Sequence, residues 1–319
     1  MKVVVVGPGA MGCLIACRLA AGCQNTNHQI ALLDHRPDRA ARLNKRGLRL
    51  ITENGEESIS LPVLSHPQAL ADADLVIFCV KSYTLPKVLD SCQSWLAAGS
   101  LLIFLQNGIS HLQSIEGLIG KAVPVFGTTT EGATLVEEGT VRHAGKGITS
   151  LGFAHKPARQ MQHKLDAFAL VLGQSGIETQ ITEDIIARIW TKLLINVGIN
   201  GLTVRYGCLN GELLQREEAL RMMETLVAEG QAVAKACQIS IPANIFTLTC
   251  DICRKTASNV SSMLQDIRAG RKTEIDAING TLVEQGRATG IATPANEALV
   301  EYITTKEKEF SQTNQYHSP

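Results

Sequence analysis

A chain of 319 residues is longer than one typical domain, so two domains are expected. Its 45% hydrophobic and 19% charged residues are ordinary globular composition with ample core material. Thirty basic residues against 30 acidic ones leave no net charge, which excludes the electrostatic footprint of a nucleic-acid or membrane-surface binder.

Met1–Val6 runs straight into Gly7, too short for a signal-peptide core and without a cleavage site. No apolar run approaches the ~20 residues that span a bilayer. The nine cysteines are odd in number and scattered, several within apolar segments, as expected of buried thiols in a reducing cytoplasm. Cys250-x-x-Cys253 has half of a zinc or redox spacing but no second pair nearby, so no metal site is expected.

Lys2–Val6 is a β-branched run, followed at once by Gly7-Pro8-Gly9-Ala10-Met11-Gly12 and an apolar helix over Cys13–Ala21. Strand, G-x-G-x-x-G and helix in that order form a dinucleotide-binding arrangement. The first glycine turns the chain, the second lets backbone approach a pyrophosphate, and the third packs helix on strand. The helix N-terminus then meets the negative charge. His28–Leu33 reads as the second strand, ending in Asp34-His35-Arg36. A carboxylate at that place suits a free ribose 2′-hydroxyl, and an arginine suits a 2′-phosphate. Both NAD and NADP therefore stay open at this point.

A helix is expected from Pro37 to Arg46, then strands over Leu48–Thr52 and Glu57–Val63 flanking a turn at Asn54-Gly55. Asp74–Val80 and Ser100–Leu105 read as buried strands ending at Lys81 and at Gln106-Asn107-Gly108. Polar residues at strand carboxyl ends are where open α/β sheets bind ligands. Val123–Phe126 leads into Gly127–Ala133, then a hairpin at Glu137-Glu138-Gly139, a strand over Ile148–Phe153, a helix over Lys156–Leu172 and a short strand over Ile177–Ile181.

Beyond about residue 180 the pattern turns helical: Trp190–Thr203, Glu212–Cys237, Asn244–Lys255, Ser262–Ala269, Thr273–Thr289 and Pro294–Glu309. Within Trp190–Thr203, Lys192, Asn196 and Asn200 recur at i, i+4 and i+8, one polar stripe on an otherwise apolar helix. Buried amides and ammoniums need partners, so the stripe is either a satisfied seam between helices or a ligand-facing row. The fold class is thus α/β: an N-terminal Rossmann domain over 1–180, an all-helical domain over 181–310 and a flexible tail over 311–319.

These residues resemble the ketopantoate reductase (2-dehydropantoate 2-reductase) family of the 6-phosphogluconate-dehydrogenase-like superfamily. The resemblance rests on Gly7–Gly12, Gln106-Asn107-Gly108, Trp190-x-Lys192-x3-Asn196-x3-Asn200, Asn210-Gly211-Glu212-Leu213, Asn259–Asp266 and Thr273-Glu274-Ile275-Asp276. It implies an active site in a cleft between the domains and NADPH-dependent reduction of 2-dehydropantoate to (R)-pantoate, a step toward pantothenate and coenzyme A. It also implies Lys192 as general acid with Glu274 in the active site. Asn107, Asn196, Asn200, Asn210, Asn259 and Ser262 would handle substrate. Gly7, Pro8, Gly9, Ala10, Met11, Gly12, Arg36, Lys81 and Ala133 would hold the cofactor, sharing Asn107 and Glu274 with the substrate set. Asp34 departs from the basic group that the family commonly carries near this strand end, which keeps NAD in view beside NADP. The resemblance implies a monomer or a homodimer, and the sequence does not choose between them.

Two other readings compete: a reductase of a different branched 2-oxo acid, and a nucleotide-sensing protein without turnover. Lys192, the asparagines, Ser262 and Glu274 together argue against a sensor, which has no use for a proton donor.

Overall fold

Four consecutive valines make the first strand, β1 (Lys2–Val6), and all four are buried. A β-branched run buried on both faces belongs in the middle of a parallel sheet. The computed structural model, which describes residues 1–115 and 120–315, puts it there. The chain divides into two units: Met1–Gln106 with His111–Ile185, and Asn107–Ser110 with the residues from Ile186 onward.

The strands of the first unit are β1, β2 (Gln29–Leu33), β3 (Leu48–Thr52), β4 (Gly55–Ile59), β5 (Val63–Leu64), β6 (Leu75–Phe78), β7 (Leu101–Phe104), β8 (Val123–Thr129), β9 (Gly132–Glu137), β10 (Thr140–Gly145), β11 (Thr149–Gly152) and β12 (Thr179–Ile181). An eight-stranded sheet has the order β12-β11-β8-β7-β6-β1-β2-β5. Its pairings from β5 through β8 are parallel, and β11 runs antiparallel to β8. A four-stranded sheet of order β4-β3-β10-β9 accompanies it. Stacked rings of Phe78 and Phe104, 5.2 Å apart, fill the core where β6 meets β7.

Helices of this unit are α1 (Ala10–Gly22), α2 (Pro37–Arg46), α3 (Leu85–Cys92), α4 (His111–Ser114) and α5 (Arg159–Gln174). Pro37 opens α2 at its first position, and Gly47, with φ of 72°, stops it. The stretch expected as one strand over 57–63 is two, β4 and β5, broken around Leu61-Pro62 and assigned to different sheets. Proline donates no ladder hydrogen bond, which favours a break at Pro62.

The second unit is helical among the described residues: α6 (Ile185–Tyr206), α7 (Glu217–Ala236), α8 (Ile245–Lys255), α9 (Ser262–Arg268), α10 (Thr281–Thr289) and α11 (Pro294–Gln315). By length and composition α6 could cross a membrane, but 61% of its apolar window is buried inside the protein, as in a core helix. The helix expected over 212–237 is interrupted: Asn210–Gln215 is a 3₁₀ turn, and α7 starts after extended Arg216. The one expected over 273–289 begins instead with a π-helical turn, Asp276–Gly280, before α10. α11 continues through Gln315, so residues 311–315 of the expected tail are helical, and residues 316–319 lie outside the described residues.

Candidate functional site

In the first unit the glycine turn joins β1 to α1. Gly7 takes φ of +101° and its N–H donates to Leu33 O at 2.9 Å, which ties the turn to the end of β2. A Cβ on Gly12 would stand 1.9 Å from Gly7 O, so strand and helix approach as closely as glycine alone permits. Gly9 is exposed at the N-cap, with no atom near where its Cβ would be. The N–H groups of Ala10, Met11 and Gly12 fall in the first helical turn and have no intrahelical acceptor. Backbone donors, a positive helix end and a floor without side chains fit a dinucleotide's pyrophosphate. Half-buried Lys81 follows β6, and Ala133 lies half-buried on β9, in register with His143 of β10. The His143 Nε2 is 2.5 Å from Glu131 Oε2 and its Nδ1 accepts from Arg18 at 2.8 Å, which braces this loop against α1.

Asp34, at the end of β2, is engaged within its own loop. It is 0% exposed, its N–H donates to Leu64 O, and its carboxylate faces inward. Arg39, one turn into α2, donates through Nη2 to Oδ1 at 2.6 Å and through Nε to Oδ2; the Arg36 N–H adds a third bond to Oδ1 at 3.2 Å. His35, 71% exposed with Nδ1 at 3.7 Å, is the lesser partner. The Arg36 guanidinium is 48% exposed and lies 3.8 Å from Asp38, a carboxylate that Arg42 also engages.

In the second unit α6 carries the polar stripe as expected: Lys192 and Asn196 are half-buried and Asn200 is 5% exposed. Burial pulls the Lys192 ammonium down to about 8, and the charge of Glu274 acts in the opposite direction. Glu274 is 7% exposed, and its Oε2 accepts from Asn107 Nδ2 at 3.1 Å. Its carbonyl accepts from Ala277 and Ile278 as the chain enters the π-turn. Asn107 is positioned by its neighbour: Gly108 takes φ of +81°, and a Cβ there would be 1.9 Å from Ala277 O. Asn279 of the same π-turn donates to Asn296 Oδ1 at 2.9 Å and to Val197 O of α6 at 3.4 Å. Asn107 and Glu274 are thus joined by a hydrogen bond, and the charge of that carboxylate reaches the Lys192 ammonium.

The remaining expected residues are placed less directly. Asn210 is buried, its amide donates to Thr256 Oγ1 at 2.9 Å, and its Oδ1 has no partner. Its N–H donates to the carbonyl of exposed Asn259. Ser262 is exposed in the first turn of α9, and buried Ser261 is the N-cap, accepting from Leu264 N–H at 3.1 Å. Ser261 also meets Thr203 Oγ1 at 2.6 Å, and Thr203 donates to the Asn200 carbonyl, so α9 is fastened to the end of the stripe. The sequence assigns no role of their own to Ser261, Thr203, Arg39 and Gln106. The Gln106 amide donates to Phe78 O and Val80 O and anchors the start of the Asn107 turn. Cys250 and Cys253 lie on the buried face of α8, and burial pushes the Cys253 thiol up to about 12.

Family models described as ketopantoate reductase PanE/ApbA and its C-terminal part match residues 3–156 and 184–307. The 2-dehydropantoate 2-reductase of Halobacterium salinarum is 33% identical, over 97% of this chain and all of that protein. That of Vibrio cholerae is 31% identical over 98% of this chain and 99% of its own. The crystal structure of a ketopantoate reductase from Ralstonia eutropha is similar with a TM-score of 0.88 and 28% identity, covering 98% of this chain and 100% of that one. A ternary structure of D-mandelate dehydrogenase with NADH and anilino(oxo)acetate has the same TM-score of 0.88 at 27% identity, with 98% and 100% covered.

Proposed function

Because this chain belongs to the ketopantoate reductase family, we propose that it reduces 2-dehydropantoate to (R)-pantoate with NADPH, in the cytoplasm, on the route to pantothenate and coenzyme A. The observation that carries the chemistry is the Lys192–Glu274–Asn107 group. A nicotinamide supplies hydride when bound, and the glycine turn, Arg36, Lys81 and Ala133 are the residues that would hold it. Negative charge then develops on the substrate's 2-oxo oxygen. Lys192 stabilises that charge through its ammonium and transfers a proton from Nζ to the oxygen. With its pKa near 8, the lysine is mostly protonated at neutral pH and still acidic enough to give the proton up. Glu274 keeps the ammonium charged against burial, and Asn107 fixes the carboxylate through the 3.1 Å hydrogen bond. Asn196, Asn200, Asn210, Asn259 and Ser262 orient the substrate's carboxylate and hydroxyl groups in this reading.

Preference for NADPH rests on the outward Arg36 guanidinium and on the internal neutralisation of Asp34. Arg36→Ala should weaken NADPH ~10–100-fold and leave NADH nearly unchanged, since one charge-assisted bidentate contact is lost. The likeness to D-mandelate dehydrogenase with NADH supports a second reading, a reductase of another branched 2-oxo acid. Consumption of NADPH and NADH is followed with 2-dehydropantoate and with a panel of other branched 2-oxo acids. Turnover of 2-dehydropantoate at a kcat/KM well above the panel supports the first reading, and preference for a panel member replaces it with the second.

A further inference from the structure

A carboxylate at the end of the second strand of a dinucleotide-binding sheet accepts hydrogen bonds from a free ribose and repels a 2′-phosphate. Asp34 stands at that place, beside the glycine turn, because Gly7 N–H bonds the carbonyl of the residue before it. Yet both of its oxygens accept from Arg39, one of them also from the Arg36 N–H, and its side chain is fully buried. A carboxylate so engaged has its charge offset by a forked guanidinium and turns no surface outward. Arg39 is held in turn by α2, whose start is set by Pro37, so the pair closes within one loop and one helical turn.

We infer that Arg39 is a specificity-determining residue of the adenosine end: it sequesters Asp34, the acceptor that would select a free 2′-hydroxyl, and leaves Arg36 as the outward-facing group. Arg39 on this account acts through Asp34 and not by touching the nucleotide. The inference rests on the reading that the first unit binds a nicotinamide dinucleotide, and it adds the residue that sets which one.

The test uses the full chain and two probes, adenosine 2′,5′-bisphosphate and adenosine 5′-monophosphate, titrated calorimetrically. Their dissociation constants give a 2′-phosphate preference that does not depend on turnover. Arg39→Met should lower this preference at least ~10-fold, because the freed carboxylate both repels phosphate and accepts from the hydroxyl. The double variant Asp34→Ala with Arg39→Met should return to within ~3-fold of wild type, since no carboxylate is left to release. Arg39→Gln, which keeps a donor to Asp34 but not the charge, carries the single-variant arm if Arg39→Met does not fold; it should lower the preference several-fold. An unchanged preference in the folded single variant overturns the inference. So does a double variant as poor as the single one, which would mean that Arg39 meets the phosphate itself. If neither probe binds wild type, the dinucleotide reading falls along with the inference. If both bind without preference, the NADPH assignment alone fails, and the shift produced at Arg39 still decides this one.

Discussion

Asn107 Nδ2 donates to Glu274 Oε2 at 3.1 Å across 167 residues of sequence. A turn that follows β7 thereby belongs, with its four residues 107–110, to the helical unit. The consequence is electrostatic: an amide bond orients the carboxylate whose charge holds up the pKa of Lys192.

Removing the ammonium tests its role most directly. Lys192→Ala is expected to lower kcat by ~10²–10⁴, the usual contribution of a positioned general acid. The NADPH dissociation constant should stay within a few-fold of wild type, because Lys192 and the glycine turn belong to different units. Single-turnover kinetics with fluorescence titration of cofactor separate the two; a variant that keeps a tenth of wild-type turnover excludes the assignment.

The pH dependence of kcat/KM for the oxo acid should follow the same lysine. As the proposed general acid Lys192 acts in its protonated form, so the rate should be full below about 8 and fall as pH rises through that value. Glu274→Gln removes the charge that raises this pKa, and the falling limb should move to lower pH. A limb that stays in place or moves up would contradict the coupling.

Neighbouring serines should separate stability from substrate handling. Ser261→Ala removes an N-cap and the contact with Thr203, so it should cost ~1 kcal/mol and lower Tm by ~2–4 °C. Ser262→Ala, at an exposed position, should leave Tm unchanged and raise KM for the oxo acid alone. Calorimetry and steady-state kinetics on the two variants decide it, and the reverse pattern would exchange their roles.

Asn200→Ala should raise KM for the oxo acid by ~10–100-fold with little effect on NADPH affinity, as expected when a hydrogen bond to a charged ligand is lost. Equal losses for cofactor and substrate would remove Asn200 from the substrate set.

Local signals in the chain carry the parts of this fold that depend on local chemistry. Gly7–Gly12 between a valine run and an apolar helix, Pro37 at the start of α2 and the 192–196–200 stripe each correspond to what the structure contains. Where the hydrogen-bond pattern changes, periodicity alone does not mark the boundary. Arg216 is extended between a 3₁₀ turn and α7 although the apolar spacing runs on through it, because periodicity records which face is buried and not which carbonyl is bonded. The sequence places Asp34 only by its position at a strand end. Its partner five residues on, Arg39, could have been seen only by asking which cation α2 turns back toward β2. No local cue joins Asn107 to Glu274, 167 residues apart.

The π-turn at Asp276–Gly280, with Gly280 N–H reaching back five residues to Ile275 O, adds one residue to the helical path. Each residue advances an α-helix by ~100°. The angular phase between Glu274 and the buried face of α10, formed by Leu282, Val283 and Gly286, is therefore set by that single surplus residue. Deleting one residue within the turn would let a regular helix form with its apolar face still inward, and would swing the carboxylate about a quarter of a revolution away from the ammonium. The fold could survive such a frameshift in helical phase, whereas Lys192 would lose the charge of Glu274 that acts on it. Residue count at this turn is thus a length constraint on where Glu274 points, separate from the identity of any side chain in it.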